Sequence, residues 1–127
     1  TESGGSSGLP KKVQSWMSGA AGFGGSVSDE TGAKSVTVKV GAQSEKGPYA
    51  FDPAVVRVSP GTEVTWQWTG KGGAHNVVAK GGAFESGDAV SKASATYSHT
   101  FEETGTFLYY CTPHRSLGMK GVVIVEK

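Results

Sequence analysis

The chain has 127 residues, a length typical of one domain with a real hydrophobic core and too short to divide comfortably into two. Its 12 Lys and Arg against 11 Asp and Glu give a formal net charge of +1, so no charge excess favours binding to nucleic acid. Twenty glycines and 36% hydrophobic residues predict an all-β chain with many turns, and the single cysteine excludes an intramolecular disulfide.

The first part of the chain is predicted to carry one short helix. The opening residues TESGGSSG are rich in Gly and Ser, which is typical of a flexible linker or a cloning remnant. Between residues 9 and 19, Val13, Trp16 and Met17 fall on one face of a helix. The predicted units are a linker (1–8), an N-terminal helix with its extension (9–35) and a β domain (36–127).

Short runs of β-branched and aromatic residues follow, beginning with SVTVKVGA, in which valines alternate with polar residues as in a half-buried strand. The segment FDPAVVRVSPGTEVTWQWTG predicts strands at Val55–Val58 and Glu63–Trp68, joined by a Ser-Pro-Gly turn. AHNVV opens another short strand, and MKGVVIVEK supplies the last one. These runs are strands of the predicted β domain.

The run YSHTFEETGTFLYYC contains two alternating segments separated by Glu-Glu-Thr-Gly. This pattern predicts a hairpin with Gly105 at its turn. The polar, glycine-rich stretch GGAFESGDAVSKASAT before it predicts a loop. In total we expect seven to eight short strands that form a sandwich or a small barrel.

The segment YYCTPHRSLGM crowds three uncommon residues into nine positions, namely Cys111, His114 and Met119. A thiolate, an imidazole and a thioether are ligands that favour copper, zinc or iron over magnesium or calcium. Two histidines and a cysteine with a distant methionine form the arrangement of an electron-transfer copper site. The spacing therefore predicts three of four copper ligands on one loop.

His75 is the stronger candidate for the fourth ligand, because GGAHNVV places it where a glycine-rich turn becomes an apolar strand. From such an end position a side chain can reach one pole of a sandwich. His99 lies inside the alternating run YSHTF, where a surface or cross-strand histidine is the simpler interpretation. We therefore favour His75 over His99.

Three other interpretations of the cluster explain its residues less well. Met17 competes with Met119 as the axial group, but it completes the apolar face of the predicted helix. Structural zinc sites usually take four Cys and His ligands in paired spacings, and a methionine there would be unusual. A catalytic nucleophile at Cys111 would leave Met119 and His75 unexplained. With all four positions used, no coordination site is left open for a substrate.

The motifs GTFLYYCTPHRSLGMKG, AHNVV and VSPGTEVTW resemble the plastocyanin and halocyanin branch of the blue copper proteins. The likeness covers the chain from about residue 36 to the end. It implies a Greek-key cupredoxin sandwich with one type 1 copper ion. The ligands that it implies are His75, Cys111, His114 and Met119.

The resemblance also implies roles for residues around the ligands. Asn76 matches the residue whose backbone amide binds the cysteine sulfur and whose side chain ties the two ligand loops together. Pro113 matches a loop proline that offers no N–H near the sulfur. Tyr110 matches a tyrosine associated with a more remote electron route, and Leu117 belongs to an apolar docking patch around His114.

The sequence thus predicts a one-electron carrier, not an enzyme, that docks transiently with a donor and an acceptor protein and works as a monomer. We expect it outside the cytoplasm, in a periplasm or at the outer face of the cell membrane, where a lipid anchor would tether it through the N-terminal linker. An extracytoplasmic copper carrier or chaperone is the alternative, although such sites tend to be rich in Met or His. A copper oxidoreductase would need a second metal or an open position.

Overall fold

Nine strands form two facing sheets in a computed structural model that describes residues 10–23 and 27–127. In chain order the elements are α1 (Lys11–Met17), β1 (Ser28–Asp29), β2 (Ser35–Ser44), β3 (Gly47–Asp52), β4 (Val55–Val58), β5 (Thr62–Trp68), β6 (Val78–Ala79), β7 (Thr96–Phe101), β8 (Gly105–Tyr110) and β9 (Lys120–Val125). One 3-10 turn spans Arg115–Leu117. The predicted linker at residues 1–8 lies outside the described residues.

The two sheets have the strand orders β1-β4-β9-β8-β6 and β3-β2-β5-β7. The consecutive strands β4 and β5 lie in different sheets, so the chain crosses from one layer to the other at the Ser-Pro-Gly turn. There Thr62 N donates to Ser59 O at 3.2 Å, and Gly61 adopts the positive φ of +93° that the turn requires. The all-β sandwich with a short N-terminal helix is confirmed.

The predicted hairpin at Gly105 is wrong. β7 pairs with β5 in one sheet, whereas β8 pairs with β6 and β9 in the other. Both strands alternate because each turns one face to the same interior, where the rings of Phe101 and Phe107 lie 5.2 Å apart. A glycine turn between two alternating runs fits a crossing between sheets as well as a hairpin, since both connections reverse the chain.

Two apolar clusters stabilise the sandwich, one between the sheets and one outside them. The inner cluster includes Trp66 and Tyr109, whose rings meet edge to face at 5.4 Å. In the outer cluster α1 packs Val13 and Met17 against the five-stranded sheet. β9 is therefore buried on both faces, which explains why GVVIV is continuously apolar instead of alternating.

The prediction from the sequence missed two strands and misplaced the ends of others only slightly. Val55–Val58 is confirmed as predicted, and the next strand begins one residue earlier than expected, at Thr62. The missed strands are β1, which has only two residues, and β3, whose sequence GPYAFD begins with two poor strand formers. Among the described residues, no helix has the length and apolar character needed to cross a membrane.

Candidate metal centre

Three donor atoms converge at one end of the sandwich. Cys111 Sγ lies 3.7 Å from Nδ1 of His75 and 3.5 Å from Nδ1 of His114, and the three donor atoms lie within 4.8 Å of one another. Metal–nitrogen and metal–sulfur bonds of about 2.0 and 2.3 Å at trigonal or tetrahedral angles separate nitrogen from sulfur by about 3.5–3.7 Å. The observed spacing therefore fits one first-row metal ion held by all three.

The ligand loop between β8 and β9 is closed by its own backbone. Cys111 N donates to Met119 O at 3.0 Å, and Met119 N donates to His114 O at 3.3 Å. His114 N in turn donates to Cys111 O at 3.3 Å. The Met119 side chain is fully buried in the same inner cluster as Cys111. One short loop thus brings a thiol, an imidazole and a thioether to the same pole.

His75 reaches this pole from the connection between β5 and β6. Its backbone N donates to Val90 O at 2.8 Å, and its carbonyl accepts from Val90 N at 2.9 Å and from Trp68 Nε1 at 2.9 Å. The ring Nε2 lies 2.6 Å from Lys71 O. Because a carbonyl only accepts, Nε2 carries the hydrogen, and Nδ1 presents its lone pair toward the sulfur. The tautomer is the one that a metal ligand needs.

Two glycines make room for the His75 ring. A Cβ atom on Gly41 would lie 2.9 Å from His75 Nε2 and 2.7 Å from Lys71 O. One on Gly72 would lie 3.0 Å from the same nitrogen and 2.3 Å from Pro48 O. Both glycines have positive φ, and Gly41 lies where the β2–β3 register shifts. Only glycine lets the backbone approach the ring this closely.

Burial sets the protonation of the donor groups. It raises the pKa of the Cys111 thiol above its ordinary value, while the backbone N–H groups of Asn76 and His114 oppose that rise. Burial also lowers the pKa of the His75 and His114 imidazoles. Both rings are therefore neutral near pH 7, and a metal ion would have to displace a proton only from the thiol.

His99 does not join this group. It lies on β7 opposite Val64, half-buried, with its ring 5.2 Å from Phe84 and 4.7 Å from Phe101. Among the described residues, the cluster of potential metal-binding side chains contains His75, Cys111 and His114. The surroundings of His99 are aromatic, which the polar neighbours in its own strand did not indicate.

A family model described as copper-binding proteins of the plastocyanin/azurin family matches residues 36–126 of the chain. The chain belongs to this family. A cysteine sulfur and two imidazole nitrogens are also donors that suit copper better than magnesium or calcium. Copper as the cofactor and the blue copper resemblance drawn from the sequence are thereby confirmed.

Individual relatives agree with this assignment. Halocyanin from Natronomonas pharaonis is 50% identical over 107 residues, which cover 82% of this chain and 64% of that protein. Plastocyanin from Scenedesmus fuscus is 36% identical over 100 residues, covering 72% of this chain and 99% of the relative. The structure of oxidised plastocyanin from Dryopteris crassirhizoma superposes with a TM-score of 0.58 at 29% identity, covering 71% of this chain and 99% of that one.

Asn76 lies between the two loops that carry the donor atoms. Its Oδ1 accepts from Thr112 N at 2.7 Å, and its Nδ2 donates to Thr112 Oγ1 at 3.3 Å and to Gly87 O at 3.4 Å. The side chain is buried, so these bonds are shielded from water. Asn76 thus joins the His75 connection to the residue that follows Cys111.

Replacing Asn76 with alanine should cost about 1–3 kcal/mol of unfolding free energy, because the Thr112 N–H loses its acceptor. Copper affinity should fall with it, since the two loops are no longer tied. Thr112→Val is the matched control, because it removes only the 3.3 Å contact and keeps the backbone N–H. Denaturant unfolding of the two copper-free variants measures the stability that each one loses. Equal losses of stability in the two variants would contradict this role for the 2.7 Å bond.

The other residues implied by the resemblance lie at the edge of the site. Pro113 is exposed on the ligand loop, and Leu117 is 39% exposed at the end of the 3-10 turn. Tyr110 is half-buried, with the Arg115 guanidinium 4.3 Å above its ring. The Tyr49 ring lies 4.8 Å from that of the half-buried His114. Pro113 and Leu117 thus lie exposed on the loop that carries His114.

Sequence reasoning missed several groups that shape the site. The Lys71 carbonyl that orients His75 carries no sequence signature, since any residue has one. Gly41 was visible as a glycine within a strand pattern, which is a recognised sign of a bulge. Val90, which pairs with His75 and is 41% exposed, lies in a stretch that the sequence marks only as loop.

Proposed function

We propose that one copper ion is bound by His75, Cys111, His114 and Met119 as a type 1 site, and that the chain is a one-electron carrier, not an enzyme. The observation that carries this proposal is that Cys111 Sγ lies 3.7 Å from Nδ1 of His75 and 3.5 Å from Nδ1 of His114, beside the loop that the backbone of Met119 closes. All four side chains are supplied by the protein, so no position is left for a substrate.

Bound copper supplies a Cu(II)/Cu(I) couple that gains or loses one electron. The protein contributes a rigid set of donors. The Lys71 carbonyl holds the His75 ring, Asn76 ties the loops, and Cys111 releases its proton when the thiolate binds. A closely packed interior resists rearrangement, and small rearrangement between the two oxidation states favours fast electron exchange.

Addition of Cu(II) to the purified, metal-free protein tests the proposed function. We expect an intense visible thiolate-to-copper band at a stoichiometry of one, bleached by ascorbate and restored by an oxidant through repeated cycles. A colourless complex, or a blue one that a mild chelator empties within minutes, would overturn the carrier and favour a copper chaperone. The result does not depend on knowing the natural partners.

Met119→Leu should keep the band and raise the reduction potential. A thioether donates weakly to the oxidised ion, and leucine does not, so the oxidised form loses stabilisation. Met17→Leu is the matched control, because Met17 is equally buried but lies in the outer cluster. Protein-film voltammetry compares the three proteins. A lowered potential in Met119→Leu, or equal shifts in both variants, would count against Met119 as the axial ligand.

We further propose that redox partners dock at the apolar surface around His114. His114 is half-buried at the pole, Leu117 and Pro113 are exposed on the same loop, and Ala74 precedes His75. The exposed Val90, paired with His75, extends this surface on the other side. An apolar surface at the point where a ligand reaches solvent suits brief contacts between carriers.

Leu117→Glu should slow electron self-exchange roughly tenfold, because two charged copies repel where two apolar surfaces met. Thr104→Glu adds the same charge in the exposed β7–β8 connection at the opposite end and should leave the rate unchanged. NMR line broadening in mixtures of oxidised and reduced protein measures the rate. An unchanged rate in Leu117→Glu would remove this surface from the proposal.

The cellular setting belongs to the same proposal. The chain spans 64% of the halocyanin it matches, so the surrounding protein is not defined by that relative. We place the carrier outside the cytoplasm, in a periplasm or at the outer face of a cell membrane, with the linker at residues 1–8 as the tether. The resemblance to exported carriers supports this placement. We also propose that the copper-binding domain begins at residue 36, after the N-terminal helix and its extension. Fractionation of producing cells tests the placement.

A further inference from the structure

Helix α1 places an aromatic side chain on the tyrosine that precedes the cysteine. The Trp16 ring lies 6.2 Å from that of Tyr110, edge to face, and Trp16 Nε1 donates to Gly121 O at 3.2 Å. Val13 and Met17 are fully buried beneath the helix, so the position of Trp16 is fixed by packing. Trp16 and Tyr110 are themselves half-buried, which leaves an aromatic edge in contact with solvent.

Three cations surround this aromatic pair, each from a different part of the chain. Lys80 Nζ lies 5.3 Å from the centre of the Trp16 ring, and Lys120 Nζ lies 5.1 Å from it and donates to Trp16 O at 3.1 Å. The Arg115 guanidinium lies 4.3 Å from the Tyr110 ring and 5.7 Å from that of Trp16. We call these five residues the Trp16 face.

No ion pair among the described residues neutralises these charges. Within residues 10–23 and 27–127, the ion pairs join Arg57 to Asp29 and to Glu126, and none involves the three cations of the Trp16 face. Like charges around one indole repel one another, and contact with the aromatic rings offsets only part of that cost. An anionic group from outside the chain would remove the repulsion.

Four carboxylates lie at the opposite end of the sandwich from the Trp16 face. The strand register places Glu63, Glu102, Glu103 and Glu126 at the end where β7 leaves for β8, away from Cys111. These four glutamates therefore lie away from the cations of the Trp16 face.

We propose that the Trp16 face is a second docking surface, which takes a carboxylate-rich surface of a redox partner protein; this rests on the proposed carrier function. Tyr110 directly precedes Cys111, so a partner seated on the Trp16 face lies beside the backbone that leads to the sulfur. Three cations around an aromatic edge make a compact patch, whereas a nucleic acid or an anionic membrane calls for a wider basic surface.

NMR titration of the copper-free protein with a polyglutamate peptide tests binding directly. The chain has three indole N–H signals, and those of Trp66 and Trp68 come from buried rings that serve as internal references. We expect the Trp16 signal to shift at low salt and to return with added salt. The shift of the Trp16 signal should fall at least fivefold in the double variant Lys80→Gln/Arg115→Gln. It should persist in the control double variant Lys34→Gln/Lys127→Gln, which has the same net charge.

Lys80→Gln alone lies outside the ligand loop and should show about half of the loss, so the test does not depend on a variant beside His114. Binding to phosphatidylglycerol vesicles without any response to polyglutamate would overturn the proposal in favour of a membrane surface. An unshifted Trp16 signal, or equal shifts in the two double variants, would overturn it outright.

Electron exchange separates this proposal from the carrier function. In separate reactions, the Cu(I) protein becomes the Cu(II) protein by giving its one electron either to hexacyanoferrate(III), which becomes hexacyanoferrate(II), or to tris(phenanthroline)cobalt(III), which becomes the cobalt(II) complex. We expect Lys80→Gln to slow oxidation by the anionic reagent roughly threefold or more and not by the cationic one. If neither oxidant removes an electron reversibly, the proposed carrier function is overturned. If hexacyanoferrate(III) oxidises wild type and Lys80→Gln at equal rates, only the proposal for the Trp16 face is overturned.

Discussion

Replacing Cys111 with serine should abolish the intense visible band and most of the copper affinity. A serine hydroxyl is a harder and far less acidic donor than a thiol, so it does not supply the thiolate on which the band depends. Copper should then no longer stabilise the folded protein. In the wild type, a free copper concentration a thousand times the dissociation constant adds roughly 4 kcal/mol of stability.

The matched histidine variants complete this experiment. His75→Gln should behave like Cys111→Ser, whereas His99→Gln should keep the band, because His99 packs against Phe84 and Phe101 away from the sulfur. Absorption spectra and melting temperatures with and without Cu(II) give two independent readouts. A copper-dependent rise in the melting temperature of Cys111→Ser as large as that of the wild type would contradict the proposed ligand set.

The ligand loop was readable from the sequence because its chemistry is local. Cys111, His114 and Met119 lie within one short connection, and the backbone bonds that close it join these same residues. His75 was readable for a different reason, since a histidine at the start of an apolar strand after a glycine-rich turn lies at an end of the sandwich. The structure brings it to 3.7 Å from the sulfur.

Pairing between distant strands was less readable. The alternation in residues 96–110 predicted both strands but not their partners, because an inward-facing pattern is the same on either side of a sandwich. The continuous apolar run of β9 likewise became intelligible only with α1 packed on its outer face. Contacts made by backbone carbonyls, such as Lys71 O on His75, leave no trace in residue identity.

The position of α1 shows how a weak sequence signal can have a large structural effect. Its seven residues form an unremarkable helix on propensity alone, yet the chain that follows it reaches the ligand loop, where Ala21 N donates to Gly118 O at 2.9 Å. Gly118 is in close contact there, since a Cβ atom on it would lie 2.6 Å from Gly19 O. The N-terminal extension therefore supports the loop that carries Met119.

Replacing Gly72 with alanine should be among the most damaging single changes near the site. The left-handed backbone, with φ at +81°, costs about 1–2 kcal/mol for any residue with a Cβ atom. The new Cβ would also lie 2.3 Å from Pro48 O and 3.0 Å from His75 Nε2, which adds about 1–3 kcal/mol of overpacking. The His75 ring should be displaced, so copper affinity should fall with stability.

Gly73→Ala is the control that isolates the steric contribution. Gly73 has nearly the same φ, +80°, but a Cβ atom there meets nothing within 4 Å, so only the backbone strain should be measured. Urea unfolding of the metal-free proteins and copper titration give the two differences. If Gly72→Ala and Gly73→Ala lose the same stability and bind copper equally well, close packing around the His75 ring does not hold the ligand in place.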